Sequence, residues 1–439
     1  AAKSVSESGL PSKGLMRVIA QAIDASRWLF LTTGSKFIMK KALLNFGFFS
    51  VLSCLFFISA AHAQQKTSLD SATLMADSIM QQHPQAWTMR EFKQLTGPEW
   101  GYPYSLVLYG FQKLYLKTGD EKYLVYGKTF VDQLIDKNGK IHGYNPADFN
   151  IDSINPGKLL FLLHQKYKDE RYLTAMKSLR EQLQWQPRTT QGGFWHKNIY
   201  PWQMWLDGLY MGAPYYAQFA QEHKETKASF DDIAQQFFLI ESKTVDKKTG
   251  LLYHAWDESH LQRWANKETG LSPHFWSRSM GWYAMALVDT LDYFPQNHPK
   301  RKELIRLLNQ LAEALLKVQD ESKLWYQVTD QGNRYGNYLE TSGSAMFAYA
   351  FAKGYNKQYL PEKYKVIAQD IFNSLVARHT ETDELGRLHL LNTCGSAGLG
   401  NEPYRMGTFE YYVSEAIRTD DPHGVGPFIL AGVEISEFK

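Results

Sequence analysis

Cysteine is almost missing from this 439-residue chain, which has only Cys54 and Cys394. A disulfide scaffold is thereby excluded, and a chain this long can bury a core that needs none. No Cys/His cluster stands at zinc spacing, so a structural metal is not expected. A dominant charge is missing as well: 48 Lys+Arg face 45 Asp+Glu, with no long run of one sign. That balance argues against nucleic acid as the main partner. No Pro/Ser-rich linker divides the chain, and period-2 alternation is rare, which leaves residues 251–253 and 388–390 as short strand candidates.

Aromatic residues, by contrast, make up 14% of the chain. Sugars need flat apolar faces with polar rims, but aromatics also fill large helical cores, so composition alone does not choose.

A single long apolar run lies near the start. Met39-Lys40-Lys41 is basic, residues 42–61 are almost wholly apolar, and the run ends in Ala61-His62-Ala63 before Gln64-Gln65. This is the pattern of a secretory signal peptide over residues 39–63, with residues 1–38 a leader or upstream extension. The expected location is therefore the periplasm or cell surface of a Gram-negative bacterium. Membrane association is expected only through an uncleaved signal or a lipid on Cys54, where Val51-Leu52-Ser53-Cys54 faintly resembles a lipoprotein box. Cleavage would leave Cys394 as the sole thiol.

The remaining chain, residues 64–439, reads as one domain of paired helices. KLYLKTGDEKYL and LLHQKYKDERYL share a plan: an apolar helix end, a short charged turn, then a basic residue, Tyr and Leu. That is an internally repeated helical hairpin, with a weaker echo between Tyr355 and Tyr364. About twelve helices are predicted, starting near Leu69, Ser105, Glu121, Pro156, Arg171, Gln203, Asp231, Ser277, Pro299, Ser342, Pro361 and Val425. Twelve helices in hairpins suit an all-α ring of six pairs, a six-hairpin α/α barrel. A superhelical repeat array is the alternative, but the repeat is weak and aromatic-rich loops at 186–202, 246–275 and 380–408 interrupt it. In a barrel such loops gather at one end and build a pocket.

Three segments could carry chemistry. In PWQMWLDGLYMG, Asp207 is a lone carboxylate at the start of an apolar helix. Poor solvation of its charged form would raise its pKa, as a general acid requires; the plain alternative is a helix cap. In DFNIDSINPG, Asp152 precedes a helix and could also be a cap. The two carboxylates at one end of a barrel would supply the pair that sugar hydrolysis usually employs. In HFWSRSMGW, Arg278 lies between Trp276 and Trp282, where a guanidinium can grip a carboxylate and indoles can stack on a sugar, or all three can simply pack. His254 and His196 sit in aromatic loops, where a lone histidine is more often structural.

Together these segments, with Tyr253 to Asp257, Glu340-Thr341-Ser342-Gly343-Ser344-Ala345, Ala397-Gly398-Leu399-Gly400 and Gly424-Val425-Gly426-Pro427-Phe428, resemble the unsaturated rhamnogalacturonyl hydrolases, glycoside hydrolase family 105, in order and spacing. The resemblance implies an α/α barrel without a cofactor, acting on an oligosaccharide that ends in a 4,5-unsaturated uronic acid. It implies hydration of the C4=C5 bond, with Asp207 as general acid/base and Asp152 as the supporting carboxylate. His254, Trp276, Arg278 and Trp282 match substrate-pocket positions, and His196 and Tyr104 match them less closely. The Gly-Arg-Gly common in relatives is Ser277-Arg278-Ser279 here, with the arginine kept. Unsaturated galacturonyl–rhamnose from pectin is the preferred substrate. The rivals are an unsaturated glucuronyl hydrolase for other glycans and a non-catalytic glycan-binding protein.

Overall fold

The repeated turn motif sets the architecture. In its first copy Gly119 ends a helix with φ 76°, and Asp120 caps the next by accepting from the amide of Lys122. In the second, Lys168 (φ 55°) and Asp169 occupy the same places, Asp169 accepting from the amide of Arg171. A left-handed residue followed at once by an N-cap reverses the chain in two residues, so each copy folds as a tight antiparallel helical hairpin.

The computed structural model describes residues 67–439, which lie in one compact unit. The expected signal peptide, the leader and Cys54 fall outside the described residues. Among the described residues there are thirteen α-helices. They are α1 (Ser68–Gln82), α2 (Tyr102–Thr118), α3 (Glu121–Asp132), α4 (Lys158–Tyr167), α5 (Glu170–Trp185), α6 (Leu206–Glu222) and α7 (Lys227–Thr244). Then come α8 (Ser277–Tyr293), α9 (Arg301–Leu316), α10 (Thr341–Asn356), α11 (Lys363–His379), the short α12 (Phe409–Ser414) and α13 (Pro422–Ile435). The twelve helices expected from sequence are all present, each starting within four residues of its expected position. The thirteenth, α12, is too short to show periodicity.

Six helices, α2, α4, α6, α8, α10 and α13, form an inner ring, and α3, α5, α7, α9, α11 and α1 back them in turn. The last pair joins the two ends of the fold, because α13 packs on α1 as well as on α2. This is the six-hairpin α/α barrel. Burial follows from position in it: α10 is buried on every side from Thr341 to Gly354, whereas α9 buries only one stripe. Glycine lets inner helices touch. A Cβ on Gly426 would come within 2.8 Å of the Leu106 carbonyl oxygen, so no other residue fits there without a shift.

Strands are few. β1 (Gln203–Trp205) pairs antiparallel with β2 (Ala255–Asp257), so the sixth helix starts three residues later than expected, after a strand. The expected strand at 251–253 reduces to a single bridge between Leu252 and Val245. β3 (Thr380–Thr382) pairs with β4 (Leu388–Leu390), the other expected strand, and β5 (Thr393–Cys394) pairs with β6 (Ile417–Arg418). No helix among the described residues is long and apolar enough to cross a membrane.

The inside of the ring is not wholly apolar. Lys353 bonds Asp289 at 2.7 Å and Asp292 at 2.6 Å, and Tyr349 donates to Asp289. Lys158 is different. Its ammonium lies 3.8 Å from the centroid of the Tyr210 ring and 4.6 Å from that of Tyr109, and it has no hydrogen-bond partner. Burial pushes its pKa down to about 7. An unfolded lysine holds its proton to about pH 10.4, so between those values the unfolded state binds more protons and stability rises with pH. Below that window the lysine is charged in both states and the full desolvation cost stands. Lys158→Met is therefore expected to raise Tm by several degrees at pH 7, with the advantage shrinking toward pH 10. Parallel Tm–pH profiles for the two proteins would show that Lys158 keeps its charge throughout.

Candidate active site

The inner helices begin at one end of the ring, and side-chain contacts tie those beginnings together. Tyr102, opening α2, hydrogen-bonds through its hydroxyl to His423 Nε2 at the start of α13, 2.9 Å away. Arg278, in the first turn of α8, donates through Nε to Ser342 Oγ in the first turn of α10. A cavity of about 300 Å3 opens at this end. Helix N-termini carry partial positive charge, so the ring directs a field that favours an anionic ligand toward this mouth.

Asp207 stands in the first turn of α6 and lines the cavity. It is not the cap of its helix: the N-cap is Trp205, without any side-chain capping bond. The β1–β2 ribbon sets its surroundings. Trp205 pairs with Ala255, and the Leu206 amide donates to the His254 carbonyl, which brings the His254 ring beside Asp207. His254 Nε2 lies 3.2 Å from Asp207 Oδ2, yet neither atom has a hydrogen-bond partner, so the approach is off-line. His254 is wholly buried, with Nδ1 2.8 Å from the Tyr412 hydroxyl. A carboxylate facing Nε2 favours the tautomer with the proton there and Nδ1 accepting from Tyr412. Asp207 thus lines the cavity with its Oδ2 buried beside a fixed imidazole.

Asp152 lies in a 3-10 turn, Ile151–Ser153, just before α4. Asn150 caps that turn, so Asp152 is not a cap either. Burial would raise its pKa, but Lys197 Nζ at 2.6 Å and His196 Nε2 at 3.4 Å hold it below the usual carboxylate range. His196 is itself pushed down to about 4 by burial, so it is neutral at physiological pH. Its ring stacks on Trp205 with centroids 4.6 Å apart and 7° between planes, and Tyr200 stacks on the same indole at 4.9 Å. Asp152, Asp207 and His196 line one cavity, one carboxylate with a cation and the other without.

Four of the other expected residues lie behind the cavity. Trp276 is buried against His254, with its Nε1 donating to Gln327. Trp282 is buried one layer below, stacked on Tyr210 and edge-on to Tyr102. Tyr104 turns away toward Phe130, its hydroxyl 3.5 Å from Glu99; the α2 tyrosine that lines the cavity is Tyr102, two residues earlier. Arg278 is the main correction in placement. It is 1% exposed, and its guanidinium is taken up by Ser342 and by the carbonyl oxygens of Gly395 and Cys394. It also lies 3.6 Å from the buried carboxylate of Glu340, which caps α10 by accepting from the Ser342 and Gly343 amides and also accepts from the Cys394 amide. To grip a substrate carboxylate, Arg278 would have to release carbonyls that hold the Ser396–Ala397 rim in place.

Several lining residues were not singled out from sequence: Lys197, Tyr200, Arg405, Arg90, Lys93 and Glu99. Lys197 directly follows His196 and could have been found as its neighbour. Arg405, which bonds Tyr200 across 205 residues of sequence, stands in a loop and Arg90 at the kink of the 3-10 segment Ala86–Lys93, and neither stretch carries a local signal.

Comparison with known proteins finds relatives along the whole barrel. The profile of Glycosyl Hydrolase Family 88 matches residues 71–439. A family 105 glycoside hydrolase from Clostridium acetobutylicum ATCC 824 is similar in structure, with TM-score 0.80 and 46% identity over 84% of this chain and 99% of that one. An unsaturated rhamnogalacturonyl hydrolase of Bacillus subtilis strain 168 is 29% identical over 70% of this chain and 83% of its own length. An unsaturated glucuronyl hydrolase from Bacillus sp. GL1 shares the fold, with TM-score 0.60 and 14% identity over 84% of this chain and 97% of that chain. With a profile match across the whole barrel and an end-to-end match to a family 105 enzyme, the chain belongs to the family 88 and 105 glycoside hydrolases.

Proposed function

We propose that this enzyme removes a terminal 4,5-unsaturated uronic acid from lyase-generated oligosaccharides, with unsaturated galacturonyl–rhamnose from pectin rhamnogalacturonan as its preferred substrate. One observation carries the reading: two carboxylates with different neighbours share a cavity at the positive end of the ring. Asp207 lies beside the His254 imidazole, and Asp152 is held ionised by Lys197. Asp207 gives its proton to C4 of the unsaturated sugar and accepts one from the water that bonds C5. The resulting hemiketal opens, and the remaining saccharide leaves as an alcohol. Asp152 and neutral His196 accept from and orient the sugar hydroxyls, while the Trp205 indole provides an apolar wall. His254 keeps the Asp207 carboxyl in position, and Trp276, Arg278 and Trp282 support this arrangement from behind. Rhamnose at the second position rests on the likeness to the B. subtilis enzyme. The apolar segment at residues 42–61 makes this an exported activity.

The test is incubation with lyase digests of several polysaccharides, read as loss of the ultraviolet absorbance of the conjugated double bond. The rhamnogalacturonan digest should react fastest, and the saturated galacturonyl–rhamnose analogue should be inert. In heavy water one deuterium should enter C4. Cleavage of the saturated analogue at a comparable rate would remove the hydration chemistry.

A further inference from the structure

The cavity carries more positive charge than the proposed reaction uses. Four cations line it, Arg90, Lys93, Lys197 and Arg405, against three carboxylates. Lys197 is matched by Asp152. Arg405 is held by the carbonyls of Gly400 and Leu399 and by the Tyr200 hydroxyl, which fixes it to the rim. Arg90 and Lys93 share a single acid: both contact Glu99 Oε1, at 3.3 and 3.0 Å. Among the described side chains, two cations on one carboxylate leave a unit of charge unmatched.

The placing of Arg90 is what a bound anion would need. It stands where the 3-10 segment Ala86–Lys93 kinks, its own backbone leaving the helical region. It is 9% exposed, and its Nε is buried without any hydrogen-bond partner. A guanidinium offers five donors, and leaving buried ones unmade is costly, so an acceptor from outside the chain, a ligand or a water, would complete this arginine. Its neighbours are aromatic: its guanidinium carbon lies 5.3 Å from the Phe92 ring and 5.9 Å from that of Tyr104. Desolvation by these rings strengthens its attraction for an anion. Lys93, at the edge of the same segment, is partly exposed and meets the anion from the solvent side.

We infer that Arg90 and Lys93 form a second anion subsite, which binds a carboxylate or other acidic group on the saccharide that leaves, and so selects oligosaccharides with a second charged sugar. The inference rests on the proposed function for the identity of the first sugar. The subsite lines the same cavity as Tyr102, and the carboxylate pair of the reaction reaches that cavity from α6 and the turn before α4.

Two substrates with the same unsaturated galacturonyl–rhamnose end decide it: the disaccharide, and the tetrasaccharide in which a further uronate follows. The wild-type enzyme should favour the tetrasaccharide in kcat/KM, and reduction of its internal uronate to the neutral sugar should cancel that preference. In Arg90→Gln the ratio of the two kcat/KM values should fall by about tenfold, and in Lys93→Met by a smaller factor, because a charge-assisted contact to one substrate alone is lost. Added salt should weaken the wild-type preference more than that of the variants. Equal losses on both substrates in properly folded Arg90→Gln, or no wild-type preference, would overturn the inference. Calorimetric binding of both sugars to the Asp207→Asn protein reads the same preference without turnover. A wild-type enzyme that cleaves neither sugar would thus end the proposed function and still leave the subsite decided by binding.

Discussion

Asp207→Asn should lower turnover by roughly 100-fold or more, the range expected when a general acid–base is lost, while substrate still binds. The substitution keeps the shape of the side chain and removes its titratable proton. The fold leans little on that carboxylate: it caps no helix and makes no hydrogen bond, its one close polar neighbour being the His254 imidazole. Thermal stability should therefore stay close to wild type, which separates a chemical loss from a folding loss. Steady-state turnover on the unsaturated disaccharide and calorimetric affinity make the comparison. Turnover within a few-fold of wild type would mean that another group supplies the proton.

Arg278→Ala should act the opposite way, through the fold first. The guanidinium lies beside a carboxylate, Glu340, that is itself wholly buried. Removing one member of a buried ion pair typically costs about 3–5 kcal/mol, because the other charge is left uncompensated. The carbonyls of Cys394 and Gly395 lose their donor at the same time, and with it the rim at Ser396 and Ala397 loosens. Urea denaturation should show the midpoint falling, and activity should fall with it. An Arg278→Ala protein as stable as wild type, with a raised KM alone, would show that the guanidinium serves the substrate directly.

What could be read in the sequence is what short-range chemistry determines. The TGDEKYL and KDERYL turns state their geometry outright, because a left-handed C-cap and an aspartate N-cap are local events. Asp207 stood out as the one charge in an apolar helix start, and Asp152 as an acid just before a helix. Tyr104 was misplaced by two residues, a rotation of about 200° on a helix, which no periodicity resolves when every face of the helix is apolar. For Arg278 the residue type was informative and its surroundings were not, since Glu340 and Cys394 arrive from 62 and 116 residues away. The β1 strand was absorbed into the following helix because three buried residues in a row look alike in either form. Arg90 and Arg405 reach the cavity only through chain paths that tertiary structure sets.

The pairing of α1 with α13 has a consequence for how the molecule comes into being. A chain made from its N-terminus releases α1 first, and α1 then waits for a partner that is synthesised some 340 residues later. Until α13 arrives, the hairpins can form only an open crescent, with the flanks of α1 and α2 uncovered. The reactive cavity shares this dependence, since Tyr102 on its wall is held by His423 from the final helix. Partial chains without α13 are therefore expected to be inactive, because the packing of α13 on α1 and α2 closes the ring and brings His423 to Tyr102 on the cavity wall.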